Sequence, residues 1–312
     1  MNLLASLRYL VALSEHRHFA RAAQACHITQ PALSNALRAL EKEFATPIVK
    51  RARTYAGLTP EGERVLATAR RMLREHELLQ QELHSSAGQP AGTLRLGVVP
   101  TAVPVAARFV AMLQASQPGI KPVLTSMNSQ DIETGLEALS LDLGLGFTER
   151  QTARSTFQAL PQYREHYFLV RRAPRATRQL GIGPAMSWQD AARLPLCLLT
   201  PDMHNRGIVD AAFARAGVPV VPVIETNSIL ALVLSVAAGQ VCSVLPGSLV
   251  AAVRGQGELQ ALPLVRPTVS TPVGFIALAR TEPSRVLAAA LAFAQEPQWL
   301  RHAASHSGAL SE

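Results

Sequence analysis

Apolar residues recur every three or four positions as far as Leu83 and gather into short runs beyond it, a change of period that divides the chain. Leu3, Leu7, Leu10 and Val11 share one face of a first helix. After the polar break Ser14 to His18, the stretch FARAAQAC predicts a short helix and His27-Ile28 a tight turn. A second helix follows in TQPALSNALRALEKEF, with Thr29 as its cap and Pro31 in its first turn. Leu33, Leu37 and Leu40 form its buried stripe, which leaves Gln30, Ser34, Asn35 and Arg38 on the polar side. From Pro60 to His84 good helix formers run with no proline or glycine except Gly62 near the start, so one long helix is expected. Val65, Ala69, Met72, His76, Leu79 and Leu83 make a seam on it, flanked by Leu66 and Leu73. Packing within its own domain is the bland reading of this seam, but a helix this long leaving a small domain calls for a second chain to cover it.

The segment SSAGQPAG, residues 85–92, collects small residues, glycine and proline and reads as a hinge. Beyond it, β-like runs alternate with amphipathic helices: TLRLGVV, VPVAARFVAMLQ, KPVLTSM, SQDIETGLEAL and LDLGLGF. The alternation returns in YFLVRR, LPLCLLT, RGIVDAAFARAG, VPVIET, SILALVLSVAAG, VCSVLP and VGFIALA, with a closing helix over 284–294. This is the layering of an α/β domain.

Composition narrows the class. Hydrophobic residues make up 48% of the 312 and charged residues 17%, with no apolar run long enough to cross a bilayer. The opening MNLLASLRYLVAL lacks a basic n-region and a cleavage site, so a cytoplasmic protein is expected. Cys26, Cys197 and Cys242 form no C-x-x-C pair, so neither a disulfide framework nor a zinc site is indicated. Each reads as a small buried hydrophobe, with redox sensing the lesser reading.

The net charge of +8 acquires meaning from its location. Residues 1–60 carry eight Lys and Arg against three acids, a net of +5, whereas residues 61–86 carry four Arg against five Glu. Polar side chains of the Gln30 to Arg38 face suit a major groove, since Asn and Gln pair with adenine and Arg with guanine. A merely solvated face is the alternative, and the basic stretch PIVKRARTYAGLTPEG weighs against it. There Ile48 and Val49 anchor a hairpin, Lys50, Arg51 and Arg53 are placed for phosphates, and Gly57 supplies the turn.

F-A-R-A-A, T-Q-P-A-L-S, L-x-x-L-E, the basic wing and L-T-P-E-G occur in order, and together they resemble a LysR-type transcriptional regulator. The match is specific over residues 1–65 and runs more loosely through nearly the whole chain. The resemblance implies an α+β multi-domain protein: a mostly α winged helix-turn-helix over 1–59, a dimerisation linker helix and hinge over 60–87, and an α/β sensor over 88–312. The sensor is expected to be two-lobed and periplasmic-binding-protein-like, with lobe I about 91–162 and 267–296 and lobe II about 163–266. Thr29, Gln30, Pro31, Ser34, Asn35 and Arg38 fall where such proteins face DNA, with Lys50, Arg51 and Arg53 in the wing. Asn35 stands where many relatives carry arginine, which leaves the base preference open. The partners implied are double-stranded promoter DNA, a second copy in a homodimer, a homotetramer as the further assembly, and a small effector, with no membrane, metal or cofactor.

In such sensors ligands sit where strand ends meet helix N-termini. These junctions are Pro100-Thr101-Ala102, Asn128-Ser129, Phe147-Thr148, the segment Thr200 to Arg206, and Thr226-Asn227-Ser228. Thr101 and Ser129 are the leading candidates. Ser129 and Ser228 serve equally well as simple helix caps. Arg206 is a candidate carboxylate clamp of low weight, and His204 has less. MNSQDIETGLEALSLDLGLGF and LLTPDMHNRGIVDAAF resemble regulators found beside formate dehydrogenase genes, which makes the expected effector a small anion and formate, or a related one-carbon carboxylate, the particular guess.

No catalytic signature stands against this reading: G-x-S-x-G, H-E-x-x-H and Walker-type loops are missing. His16 and His18 read as loop histidines and His302 as part of a polar tail. A solute-binding protein without a DNA role is the competing class, opposed by the basic N-terminal module.

Overall fold

A computed structural model of the chain describes residues 2–50, 55–84, 89–149, 156–279 and 282–305. Two compact units divide it: one holds the residues up to Ser86 together with Glu137–Ser140, and the other the remainder from Ala87.

The first unit is helical. Helix α1 (Leu3–His16) is capped by Asn2, whose side chain accepts the Ala5 N–H at 3.1 Å, and ends on Arg17 in the left-handed region. Helix α2 (Phe19–Ala25) and helix α3 (Gln30–Glu43) are joined by a turn in which His27 adopts a φ of 55°. Thr29 caps α3 and Pro31 occupies its first turn. Leu33, Leu37 and Leu40 are buried with Leu7, Leu10 and Leu13 of α1 and with Ile48. His16 closes α1 instead of lying in a loop.

Helix α4 (Pro60–His84) starts against this core. A Cβ on Gly62 would meet the Ile48 carbonyl oxygen at 2.1 Å, so only glycine allows the approach. The expected seam divides here. Ala69 is fully buried in the core of its own domain and Val65 packs against it, because the first turns of α4 lie on α1. These two residues are therefore withdrawn from the seam. Met72, Leu79 and Leu83 are 46%, 58% and 75% exposed, with His76 half-buried between them.

The second unit opens with β1 (Gly92–Val98), a 3-10 turn at Pro100–Ala102, α5 (Val103–Ser116), β2 (Ile120–Ser126), α6 (Ser129–Glu137) and β3 (Leu143–Phe147). Strand β1 lies parallel to both β2 and β3. Next comes the long β4 (Phe157–Arg172), then β5 (Gly181–Ile182), β6 (Met186–Ser187), α7 (Trp188–Ala191), β7 (Cys197–Leu199), α8 (His204–Arg215) and β8 (Ile224–Thr226). The chain continues through α9 (Ile229–Ala237), β9 (Ser243–Pro246), α10 (Gly247–Ala252), β10 (Leu259–Val265) and β11 (Ser270–Leu278) to α11 (Arg285–Phe293) and α12 (Pro297–Ser305). The main sheet has the order β2-β1-β3-β11-β4-β10-β5, with β9 also on β4, while β7 and β8 form a separate parallel pair.

Two lobes follow from the cores. In lobe I, Phe109 lies 4.4 Å from Phe275 and 5.0 Å from Trp299 between ring centroids, amid Leu96, Leu145 and Ala290. In lobe II the second half of β4 is buried on both faces: Tyr167 and Leu169 join Trp188 and Phe213, and Phe168 and Val170 join Leu232 and Val236. Helix α12 was not anticipated; it places His302 beside Trp299 and out of the polar tail. Leu40→Ala should cost the N-terminal unit about 2–5 kcal/mol, which a denaturant titration of the purified chain will register as an earlier transition for that unit.

Candidate nucleic-acid interface and ligand cleft

The buried leucine stripe of α3 fixes which of its side chains reach solvent. Thr29, Gln30, Pro31, Asn35 and Arg38 are exposed and Ser34 is half-buried, with the Arg38 guanidinium donating to Asn35 Oδ1 at 3.3 Å. A groove lined by Phe19, Ser34, Arg38, Glu41 and Lys50 separates this face from the wing. The wing leaves the core as a bridge between Val49 and Leu58, and the Lys50 N–H donates to the Gly57 carbonyl at 3.0 Å. Lys50 is exposed at its root. Arg51 and Arg53, expected to reach phosphates, lie outside the described residues.

Glu41 was not singled out by the sequence, yet it sets the wing. Its Oε1 accepts the Ile48 N–H at 2.8 Å and the Val49 N–H at 3.0 Å, joining α3 to the residues that open the wing. Thr59 fastens the other strand: its hydroxyl donates to the Pro47 carbonyl at 2.6 Å and accepts the Gly62 N–H at 2.9 Å. The only hint was the glutamate ending L-x-x-L-E, one turn beyond Arg38 and outside the leucine stripe.

In the second unit, Pro100, Thr101, Asn128, Ser129 and Phe147 converge from lobe I on a small cleft, as their junctions predict. Leu199, Met203, His204 and Asn205 close it from lobe II, with Val99 beneath, leaving a cavity of about 10 Å³. The first turns of α6 and α8, which begin at Ser129 and His204, both open here, so backbone N–H groups and the positive ends of two helices face the same volume. The Ser129 hydroxyl is buried without a hydrogen-bond partner. His204 packs on Phe147 with ring centroids 4.9 Å apart. Asn205 is buried and its Nδ2 donates to the Tyr167 hydroxyl at 3.5 Å.

The remaining candidates lie elsewhere. Ala102 is buried in the 3-10 turn, and Thr148 is buried with its N–H donated to Pro272. Thr200 takes its place beside β8 by donating its N–H to the Thr226 carbonyl at 3.1 Å. Ser228 caps α9 through the Ala231 N–H, Thr226 accepts the Ser228 N–H, and Asn227 and Ser228 are exposed. None of these six lines the cleft.

Arg206 requires a correction. Its Nε donates to Asp210 Oδ1 at 2.8 Å, and its Nη1 donates to Glu225 Oε1 and to the Leu199 carbonyl, each at 2.6 Å. Burial opposes its charge, but Glu225 and Asp210 outweigh burial and hold its pKa above the ordinary value. A guanidinium already shared by two carboxylates is not available as an anion clamp.

The three thiols are also away from the cleft. Cys197 and Cys242 are buried, and burial pushes both pKa values up. Leu196 pairs with Cys242, so Cys197 is one residue out of register with it and faces the opposite core. Burial likewise raises half-buried Cys26. Among the described residues no cluster of His, Cys, Asp or Glu could hold a metal, and no helix is long and apolar enough to cross a membrane.

Two family models match the chain: the bacterial regulatory helix-turn-helix protein of the lysR family over residues 4–63 and the LysR substrate binding domain over residues 87–298. The chain is 27% identical over 273 residues to the DNA-binding transcriptional dual regulator OxyR of Escherichia coli K12, covering 86% of this chain and 87% of that one. With the hydrogen peroxide-inducible genes activator of Haemophilus influenzae it shares 32% identity over 165 residues, 53% of this chain and about half, 54%, of the relative. Among solved structures, full-length CbnR complexed with its target DNA superimposes with a TM-score of 0.70 at 20% identity, covering 96% of this chain and 99% of that one. A full-length OxyR variant from Pseudomonas aeruginosa gives 0.67 at 23% identity, with 94% and 97% covered. These two likenesses concern the fold. Glu41→Ala removes an acceptor from two backbone donors, a loss of about 1–3 kcal/mol, and should weaken duplex binding in a mobility-shift titration although Glu41 itself makes no phosphate contact.

Proposed function

Because the chain belongs to the LysR family of DNA-binding transcription regulators, we propose that it enters the major groove with the Gln30 to Arg38 face while Lys50, Arg51 and Arg53 take the flanking phosphates. One observation carries this reading: the only strongly basic module of the sequence is folded so that its leucines are buried and Gln30, Asn35 and Arg38 are presented beside the wing. The exposed run Met72, His76, Leu79 and Leu83 is the part of α4 that a second copy covers, so two recognition helices address a palindromic site. Pairing of such dimers into a tetramer, in the cytoplasm, completes the proposed assembly.

The effector is proposed to occupy the cleft between Thr101, Ser129, His204 and Asn205. With two helix N-termini and an unpartnered hydroxyl facing it, the cleft favours a small anion, with formate or a related one-carbon carboxylate as the particular candidate. Curated relatives are called hydrogen peroxide-inducible activators. Peroxide attacks thiolates, and burial keeps the thiols of this chain protonated, so reversible ligand binding is the better supported mode of control here.

If Lys50 contacts a phosphate, alanine there should flatten the slope of log affinity against log salt by ~1, and the same holds for Arg51 and Arg53. An unaltered slope removes the wing from the interface. For the cleft, small carboxylates should raise the melting temperature of the full chain, by an amount equivalent to about 2.7 kcal/mol at a hundredfold excess over Kd. Asn205→Ala should abolish that shift; a shift that survives it places the ligand elsewhere.

A further inference from the structure

Strand β4 crosses from one lobe core to the other between Tyr163 and Tyr167, and at the middle of the crossing stands Glu165, only 1% exposed. Among the described residues no cation acts on it. On its own strand it is flanked by the hydroxyls of Tyr163 and Tyr167; from β11, Thr271 lies directly across in register. Helix α10 contributes the N–H of Ser248, which donates to Glu165 Oε2 at 3.3 Å, and the backbone of Gly247. Helix α9 and strand β9, also against β4, carry no ionisable residue. From α12, Trp299 reaches Gln162 and His302 stacks on Trp299, while Glu149 acts on Tyr167 from beyond β3. Glu165 Oε1 and the Tyr163 hydroxyl each lack a hydrogen bond of full geometry.

The same α10 turn ties the lobes together. The Ser248 hydroxyl donates to the Thr101 carbonyl at 2.9 Å, so one residue of lobe II holds both the buried carboxyl and the 3-10 turn that forms a wall of the cleft. A second chain of contacts runs from Asn205 to Tyr167 and on to Thr271, whose hydroxyls are 3.0 Å apart.

The geometry points to Glu165 as a proton-operated latch at the lobe junction: with the carboxyl protonated, α10 stays seated and Ser248 holds Thr101; on losing its proton to solvent, the carboxylate draws α10 aside to admit water, and the lobes part. A buried charge with no cation beside it is costly, and hydration is the available relief. Burial, partly offset by the donors of Ser248, Tyr163 and Gly247, raises the Glu165 pKa from 4.5 to about 7. The sign follows. A carboxyl bound more tightly to its proton in the closed form stabilises that form fully below the ordinary carboxylate pKa. That stabilisation is lost progressively as pH rises from there toward about 7. The latch needs no effector, so its test is separate from that of the cleft.

Amide hydrogen exchange of the full-length, effector-free chain, corrected for intrinsic rates, reads the latch directly. Between about pH 5.5 and about pH 7.5, protection of segments 99–103 and 245–250 should fall about tenfold or more. Glu165→Gln, which cannot ionise, should keep the protection flat across that range. Ser248→Ala, which leaves the carboxyl in place, should be poorly protected in segment 99–103 at both ends. Wild-type protection that is the same at both pH values overturns the proposal, as does a Glu165→Gln protein that retains the wild-type response. Should Glu165→Gln fail to fold, a wild-type infrared titration showing no protonated-carboxyl band lost over this range overturns it as well.

Discussion

Strand β4 is sixteen residues long, about 50 Å if fully extended, and its two halves are buried in different cores. Phe157 and Tyr163 pack in lobe I, and from Tyr167 onward successive side chains alternate between the two cores of lobe II. Strand β11 pairs with its first half from Phe157 to His166, and β9 and β10 pair with its second half. The lobes thus share a continuous ladder instead of being joined by free linkers, and relative motion between them must be taken up where the partners of β4 change, around residues 165–167. Polar groups are buried at that place, Glu165, Tyr167 and Thr271 among them, where a rigid interior would hold leucine.

A similar economy governs the helical unit. The face that presents Gln30, Asn35 and Arg38 exists because Leu33, Leu37 and Leu40 are committed to the core on the other side. The root of the wing is held by Ile48, by the Glu41 acceptor and by Thr59. Glu41 is a carboxylate on the surface proposed to face DNA, a placement that would oppose duplex binding were its charge unshared. Two backbone donors engage Oε1, so the residue fixes the spacing between α3 and the wing at the expense of some of its repulsion.

Elements with a clean period were legible in the sequence: the leucine stripe of α3, the strands β1 and β3, and helices α5, α8 and α9. The first half of β4 was not, because there the code is inverted. Gln162 and Glu165 are buried, and Pro161 interrupts the run, so the segment reads as polar loop. In the seam, period alone placed Val65 and Ala69 with Leu79, and it cannot reveal that α1 already covers the first turns. The reading of Arg206 failed for want of distance information: its partner Glu225 is nineteen residues away in sequence, on β8, and a cation at a helix start looks free until that strand is placed. In the cleft, the junction Thr200 to Arg206 was identified, but the residues that line it are its middle ones, Met203 to Asn205, since α8 begins at His204.

With Arg206 committed to Asp210 and Glu225, an anion in the proposed cleft meets two helix ends and His204 in place of a guanidinium. Each helix end contributes about 0.3–1 kcal/mol, and up to about 2 when partly buried, so binding is expected to be reversible and tuned to small ligands. A buried acid behind the cleft then matters more than it would beside a guanidinium. Ionised, Glu165 adds a negative charge behind the Thr101 wall and opposes the anion; protonated, it leaves the helix ends unopposed and keeps Ser248 on Thr101. Lobe closure, proton uptake and anion binding therefore act in one direction, and by reciprocity an anion that closes the cleft raises the affinity of Glu165 for its proton.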